Sequence, residues 1–263
     1  MAATHEDHPS GGPIAGVGQR LVAIVAHPGD ETFGCGSLVA QAAGEGAHVT
    51  VICATRGEQV ARIPHTPTDH RPIAEVREAE LFDAATALGV DEIVVLGHLD
   101  LDPEPDPDGE PGEGARCAPA VDDLAAELQA LLAERAPDVV LVLDGSDGRR
   151  DNRHLRAAVE VAVASSTPRP RLVLAAVAAG LMRRWVAEVP TWHPGTAGSE
   201  VDVAQLGRPD DQLLAIDVAS WLAIRERAIA CHRSQRSPFE GVSPELRRAL
   251  LATAHVQRAA ATD

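Results

Sequence analysis

The chain contains no lysine and no tyrosine, and aromatic residues make up only 2% of its 263 positions. A core must therefore be built from Ala, Val and Leu, and every side-chain cation is Arg or His. Positive charge is scarce as well: 23 basic against 39 acidic residues give a formal net charge of -16. That balance argues against a nucleic-acid or anionic-membrane partner. No C-x-x-C pair occurs among Cys35, Cys53, Cys117 and Cys231, so buried free thiols in a reducing compartment are expected rather than a disulfide framework. No apolar run reaches membrane-spanning length, and the opening MAATHEDHPSGGPIAGVGQR lacks the apolar segment of a signal peptide. A cytoplasmic protein with a flexible arm over residues 1–18 and one domain over 19–263 is expected, with no membrane partner.

What is present is a regular alternation. RLVAIVAH, HVTVICAT, EIVVLG, DVVLVLDG and RLVLAAVA read as short buried strands. Between them lie helical patterns: GCGSLVAQAAGEG, PIAEVREAELFDAATALGV, AVDDLAAELQALLAERAP and RHLRAAVEVAVASS. Repeated strand–helix–strand units imply an α/β, Rossmann-like fold: a mostly parallel sheet with helices on both faces. From about Gly180 the reading is a long loop, a strand QLLAIDVAS and two helices. The acidic stretch DLDPEPDPDGEPGEG reads either as solvated surface or as a rim of the site.

In such folds the site lies beyond the C-terminal ends of the strands. His27, Arg56, Asp100 and Asp144 all fall there. His27 and Asp30 follow the first strand directly, in AHPGDETFGCGSLVA, and imidazole with carboxylate suits a metal ion. Asp144 and Asp147, in DGSDG, are either turn formers or acids available for proton transfer.

These segments together resemble the PIG-L/LmbE-like zinc N-deacetylases. AHPGDE is similar to that family's A-H-P-D-D-E signature, CATRGE to its T-x-G-E turn, and VREAELFDAATALGV to its R-x-x-E-L-x-x-A helix. VVLGHLD is similar to its L-G-x-x-D strand end, and AIDVASWLAIRERAIACHRSQ to its late H-x-S-Q segment. The resemblance implies His27 and Asp30 as zinc ligands. It implies Arg77, Asp100, Glu58 and His232 as substrate-binding residues.

The departures are equally specific. Gly29 stands at the family's base position. The family's G-H-P-D-H motif is matched by LDGSDGRRDNRHLRAA in one of two registers. In the first, Asp151 keeps the motif's Asp, Asn152 takes the third ligand position, and Arg149 replaces the oxyanion histidine. In the second, His154 is the ligand. The two differ by about 200° around a helix. With Gly29, Arg149 and Asn152 all changed, the resemblance implies weak or absent zinc. Asp147, Asp151 and Arg149 then become the candidate catalytic residues. A divergent small-molecule enzyme acting on an amino-sugar or thiol conjugate, with altered or metal-free chemistry, is expected. A conventional zinc deacetylase with substitute residues and a non-catalytic binding protein remain the alternatives. A homo-oligomer is compatible with the sequence.

Overall fold

A computed structural model describes residues 14–58, 71–98, 119–189 and 206–258. Its centre is a seven-stranded sheet of β1 (Arg20–Val25), β2 (His48–Thr55), β3 (Glu92–His98), β4 (Val139–Leu143), β5 (Arg171–Ala176), β6 (Leu213–Asp217) and β7 (Thr253–Gln257). The strand order is β3-β2-β1-β4-β5-β7-β6. The first five strands are parallel, and β7 runs antiparallel to both β5 and β6. β1 and β2 are buried almost end to end, as expected of apolar strands covered on both faces.

The helices are α1 (Asp30–Phe33), α2 (Gly36–Gly44), α3 (Ile73–Leu88), α4 (Val121–Arg135), α5 (Arg150–Ser165), α6 (Ala179–Glu188), α7 (Leu222–Ile229) and α8 (Pro244–Ala252). One apolar cluster on the α2 and α3 side joins Leu21, Ala23, Val25, Leu38, Leu81 and Val139. A second, on the α4 and α5 side, joins Val22, Ile24, Leu128, Val140, Leu155 and Val159. Alternate residues of β1 thus serve opposite cores, which fixes its register. Ile14 and Ala15, read from sequence as part of the arm, are buried in the first of these cores.

Two sequence expectations are corrected. The long loop expected from Gly180 begins with a helix, α6, whose Trp185 is buried; Ala178, at its N-cap position, makes no side-chain capping bond, so no sequence signal marks the start. The final strand β7 was not anticipated because it follows α8 without a turn. A third difference bears on chemistry. The helix expected to begin at Arg153 begins at Arg150, which places Asp151 and Asn152 in its first turn.

β1 and β4 are adjacent, but the chain leaves them in opposite directions across the sheet, β1 to β2 and β4 to β5. This reversal is the switch point at which α/β folds open a crevice. The turn after β4 is held by the segment around Gly207. Gly207 N–H donates to Ser146 O at 2.8 Å, and Arg208 bonds the Asp144 carboxylate. Gly207 has φ +77, and a Cβ there would lie 2.8 Å from the Ala179 backbone. Gly207→Ala is therefore expected to destabilise the fold by about 1–3 kcal/mol, through forced backbone displacement. Denaturant unfolding checks this, and unchanged stability would contradict the packing described.

Candidate functional site

The site begins where β1 ends. After Ala26 the chain turns through His27, Pro28 and Gly29 into α1, with Asp30 N–H donating to His27 O at 3.1 Å. Gly29 has φ +112, a conformation that side-chain-bearing residues rarely adopt. A Cβ there would lie 3.1 Å from both the carboxamide of Gln235 and the ring of Phe33. The turn is anchored from below by Glu31, which is fully buried. One Glu31 oxygen accepts the Gly29 N–H at 2.7 Å. The other accepts the Thr32 hydroxyl at 2.6 Å and meets His232 Nε2 at 2.7 Å.

The imidazole of His27 is bracketed by carboxylates. Its Nε2 lies 2.7 Å from Asp151 Oδ2, and its Nδ1 lies 3.2 Å from Asp30 Oδ2. Burial pulls its pKa down, as does Arg149, but the hydrogen bonds to Asp151 and Asp30 outweigh both and push it up to about 9. Burial also acts on Asp30 against its charge, yet the bond and charge of His27 leave its pKa below the usual carboxylate value. Asp147 moves the other way. Burial and the neighbouring charge of Asp30 raise its pKa. The Arg149 charge acts on His27, Asp30 and Asp147 alike, which places a permanent cation within the cluster.

The β4–α5 turn supplies the rest. Asp144 is a turn former: it accepts the Ser146 N–H at 3.0 Å and the Ser146 hydroxyl at 2.7 Å. Asp147 Oδ1 accepts the Arg149 N–H at 3.1 Å, and Asp147 Oδ2 accepts Asn152 Nδ2 at 2.6 Å. Asn152 is buried, and its Oδ1 makes no hydrogen bond. His154 does not join this cluster through its ring Nε2, which lies 2.8 Å from Pro119 O.

The structure therefore brings His27, Asp30, Asp147, Arg149, Asp151 and Asn152 together. Arg77 lies at one side, fully buried, with Nη1 donating to Gly57 O; a Cβ on Gly57 would touch both Arg77 and Pro28. Glu58 is half-buried beside it. His232, which the resemblance assigns to substrate binding, has a side chain with 0% exposure and meets Glu31. Asp100, Cys117 and the acidic stretch lie outside the described residues. Cys35 and Cys53 are buried free thiols, as expected, and Cys231 is partly exposed.

Sequence reasoning missed two supports. Arg225 is buried and donates to Thr32 O at 3.1 Å, Phe33 O at 2.6 Å and Ser37 Oγ at 2.9 Å, pinning the end of α1. Gln235 donates to Pro28 O at 2.9 Å and so closes the first turn from outside. The HRSQ polarity of the late segment marks neither role; only the contacts, across roughly two hundred residues, reveal them.

Two outcomes follow from this geometry. Gly29→Asp is expected to lower stability by about 1–2 kcal/mol, since a Cβ at φ +112 is strained and crowds Gln235; a thermal unfolding midpoint equal to wild type would refute the strain. His27 binds its proton more tightly folded than unfolded, where 6.5 is its ordinary value. Its contribution, on the order of 3 kcal/mol, is complete below pH 6.5 and is lost as pH rises through about 9. His232 shifts in the same direction. Stability measured by denaturant should fall across that window, and the fall should be smaller in His27→Asn.

Comparison with known proteins agrees with this architecture. Residues 22–163 match the family model described as PIG-L: GlcNAc-PI de-N-acetylase. The chain is 31% identical over 242 residues to the 1D-myo-inositol 2-acetamido-2-deoxy-alpha-D-glucopyranoside deacetylase of Thermobifida fusca, covering 82% of this chain and 83% of that one. It is 34% identical over 170 residues to the corresponding deacetylase 1 of Catenulispora acidiphila, covering 60% of this chain and 52% of that one, about half of the relative's length. Among solved structures, N,N'-diacetylchitobiose deacetylase from Pyrococcus horikoshii superposes with a TM-score of 0.55 at 20% identity, over 88% of this chain and 76% of that one. GalB, the 4-carboxy-2-hydroxymuconate hydratase from Pseudomonas putida, superposes with a TM-score of 0.58 at 15% identity, over 93% and 98%. At these identities the structures speak for the fold alone. The family match spans more than half of the chain, and a relative 31% identical is covered over 83% of its length, so the chain belongs to the PIG-L, GlcNAc-PI de-N-acetylase, family.

Proposed function

We propose that this protein is a small-molecule enzyme of amino-sugar or amino-sugar-conjugate metabolism that binds zinc weakly and transfers protons through Asp147. The single observation that carries this is the convergence of Asp147 and Arg149 on the His27–Asp30 pair at the sheet's switch point. The substrate class is taken from the curated relatives, which act on an N-acetylated glucosaminyl inositol.

Zinc fits the donor set poorly. A catalytic zinc takes about three protein ligands, and its histidines bind through an unprotonated nitrogen. Here both ring nitrogens of His27 engage carboxylates, the third position is the amide Asn152, and Arg149 adds a fixed positive charge. Among the described residues no group of three or more His, Cys, Asp or Glu side chains has the arrangement to hold a metal ion.

With these side chains, amide hydrolysis runs as follows. Asp147 takes a proton from water as its oxygen bonds to the acyl carbon, Arg149 stabilises the negative oxygen that develops, and the proton passes to the departing nitrogen as the C–N bond breaks. Asp147 suits the part because burial and Asp30 raise its pKa, making it a better proton acceptor than an ordinary carboxylate. Asp151 holds the His27 ring. The fold does not bind this site to hydrolysis, since a hydratase also carries it.

The test measures amine release from N-acetylglucosaminyl-inositol and from N-acetylglucosamine, with metal content determined by elemental analysis. Expected are turnover below about 1 s⁻¹, substoichiometric zinc after dialysis against chelator, and a further loss of roughly 10²–10⁴-fold in Asp147→Asn. The double variant Arg149→His, Asn152→His should retain more zinc. Stoichiometric zinc with turnover above about 1 s⁻¹ would return the protein to conventional zinc deacetylation. Absence of turnover together with tight binding of the amine product would make it a binding protein.

A further inference from the structure

In the register that keeps Asp151 at the motif's Asp, Asn152 takes the position of a metal-ligating histidine, yet its carboxamide is engaged elsewhere. Nδ2 donates to Asp147 Oδ2 at 2.6 Å. The other oxygen of that carboxylate accepts the Arg149 backbone N–H at 3.1 Å. Both donors belong to the start of α5, one at its N-cap position and one in its first turn. The Asp147 carboxylate is therefore gripped at both oxygens by a single rigid element.

The grip also fixes the direction of the Asn152 side chain. An amide presents a donor at one end only, so turning it over would set two acceptors against each other. With Nδ2 committed to Asp147, Oδ1 is left buried without a hydrogen bond. A buried acceptor left unpaired is unfavourable. A residue present for packing alone would gain from an apolar replacement at this 1% exposed position. A bound cation could account for the orphaned oxygen, but the charge of Arg149 bears on His27, Asp30 and Asp147 around it. The donation to Asp147 is what the side chain achieves.

We infer that Asn152 is a positioning residue, which has exchanged metal ligation for orientation of Asp147: its carboxamide holds the Asp147 carboxylate beside Asp30, in place to accept the proton of the attacking water. This rests on Asp147 being the proton acceptor. The two ideas fail separately. Whether Asn152 grips Asp147 is read without turnover, and whether Asp147 is the acceptor is read only with it.

The first arm is nuclear magnetic resonance of the full chain labelled with ¹⁵N. The Asn152 carboxamide, assigned by its absence in Asn152→Ser, should show one downfield proton protected from exchange, and Asp147→Ala should abolish both the shift and the protection. A freely exchanging carboxamide, or one indifferent to Asp147→Ala, overturns the inference. In the second arm, Asn152→Ser should lower kcat for amine release by about 10–10²-fold with KM within about twofold. The double variant Asn152→Ser, Asp147→Asn should be no slower than Asp147→Asn alone, because a holder has nothing left to hold. Multiplicative losses overturn the inference. So does a loss of bound zinc in Asn152→Ser, measured against wild type equilibrated with zinc, since that would restore Asn152 to metal ligation. If no variant or wild type turns over but the resonance behaves as described, the grip is upheld and the assignment of Asp147 as proton acceptor is what has failed.

Discussion

The site depends on one buried carboxylate. Glu31 has no contact with solvent, and an isolated charge in that position would be prohibitively unfavourable. It is tolerated because the Gly29 N–H, the Thr32 hydroxyl and the His232 ring all converge on its two oxygens. Those three groups come from the strand–helix turn, from α1 and from the far end of the chain. Satisfying Glu31 therefore requires that the turn after β1 take one shape, and that shape sets His27 and Asp30 side by side. Arg225 and Gln235 act in the same sense from α7 and the segment after it, by bonding the carbonyls of Thr32, Phe33 and Pro28. The late segment of the sequence is thus a clamp on the early one.

Above that clamp the charged side chains pair with one another. Asp30 and Asp151 take the two sides of the His27 ring, so the imidazole bridges the turn after β1 and the start of α5. Arg149 sets a positive charge against His27, Asp30 and Asp147. Asp147 and Asn152 form their own pair within the β4–α5 turn. Arg149 and Asn152 cohere through Asp147, which accepts a bond from each.

Much of this fold was legible in the sequence. The strands covered on both faces, β1, β2 and β4, announce themselves as continuous apolar runs. α6 escaped because nothing caps it, and β7 because it continues from a helix with no intervening turn. At the site, His27 and Asp30 were legible from a short motif at a strand end, where local spacing suffices. The partner of Asn152 was not, since nothing in DGSDGRRDN distinguishes an Asp that closes a turn from one that also takes a side-chain bond. Nor could spacing show that His154, equally well equipped by residue type, would turn its Nε2 to the Pro119 carbonyl. The role of His232 lay 201 residues from its partner and needed the folded chain to appear.

One consequence of the β4–α5 turn concerns how the site can be redesigned. Asp147, Arg149, Asp151 and Asn152 lie within one short stretch of backbone, closed at one end by the Asp144–Arg208 pair and at the other by α5. Four side chains of the cluster are thereby carried on one short segment, beside the separate turn that Glu31 holds. Grafting the corresponding stretch from a relative would therefore change several charges around His27 in one step, while the turn that carries His27, Gly29 and Asp30 stays as it is.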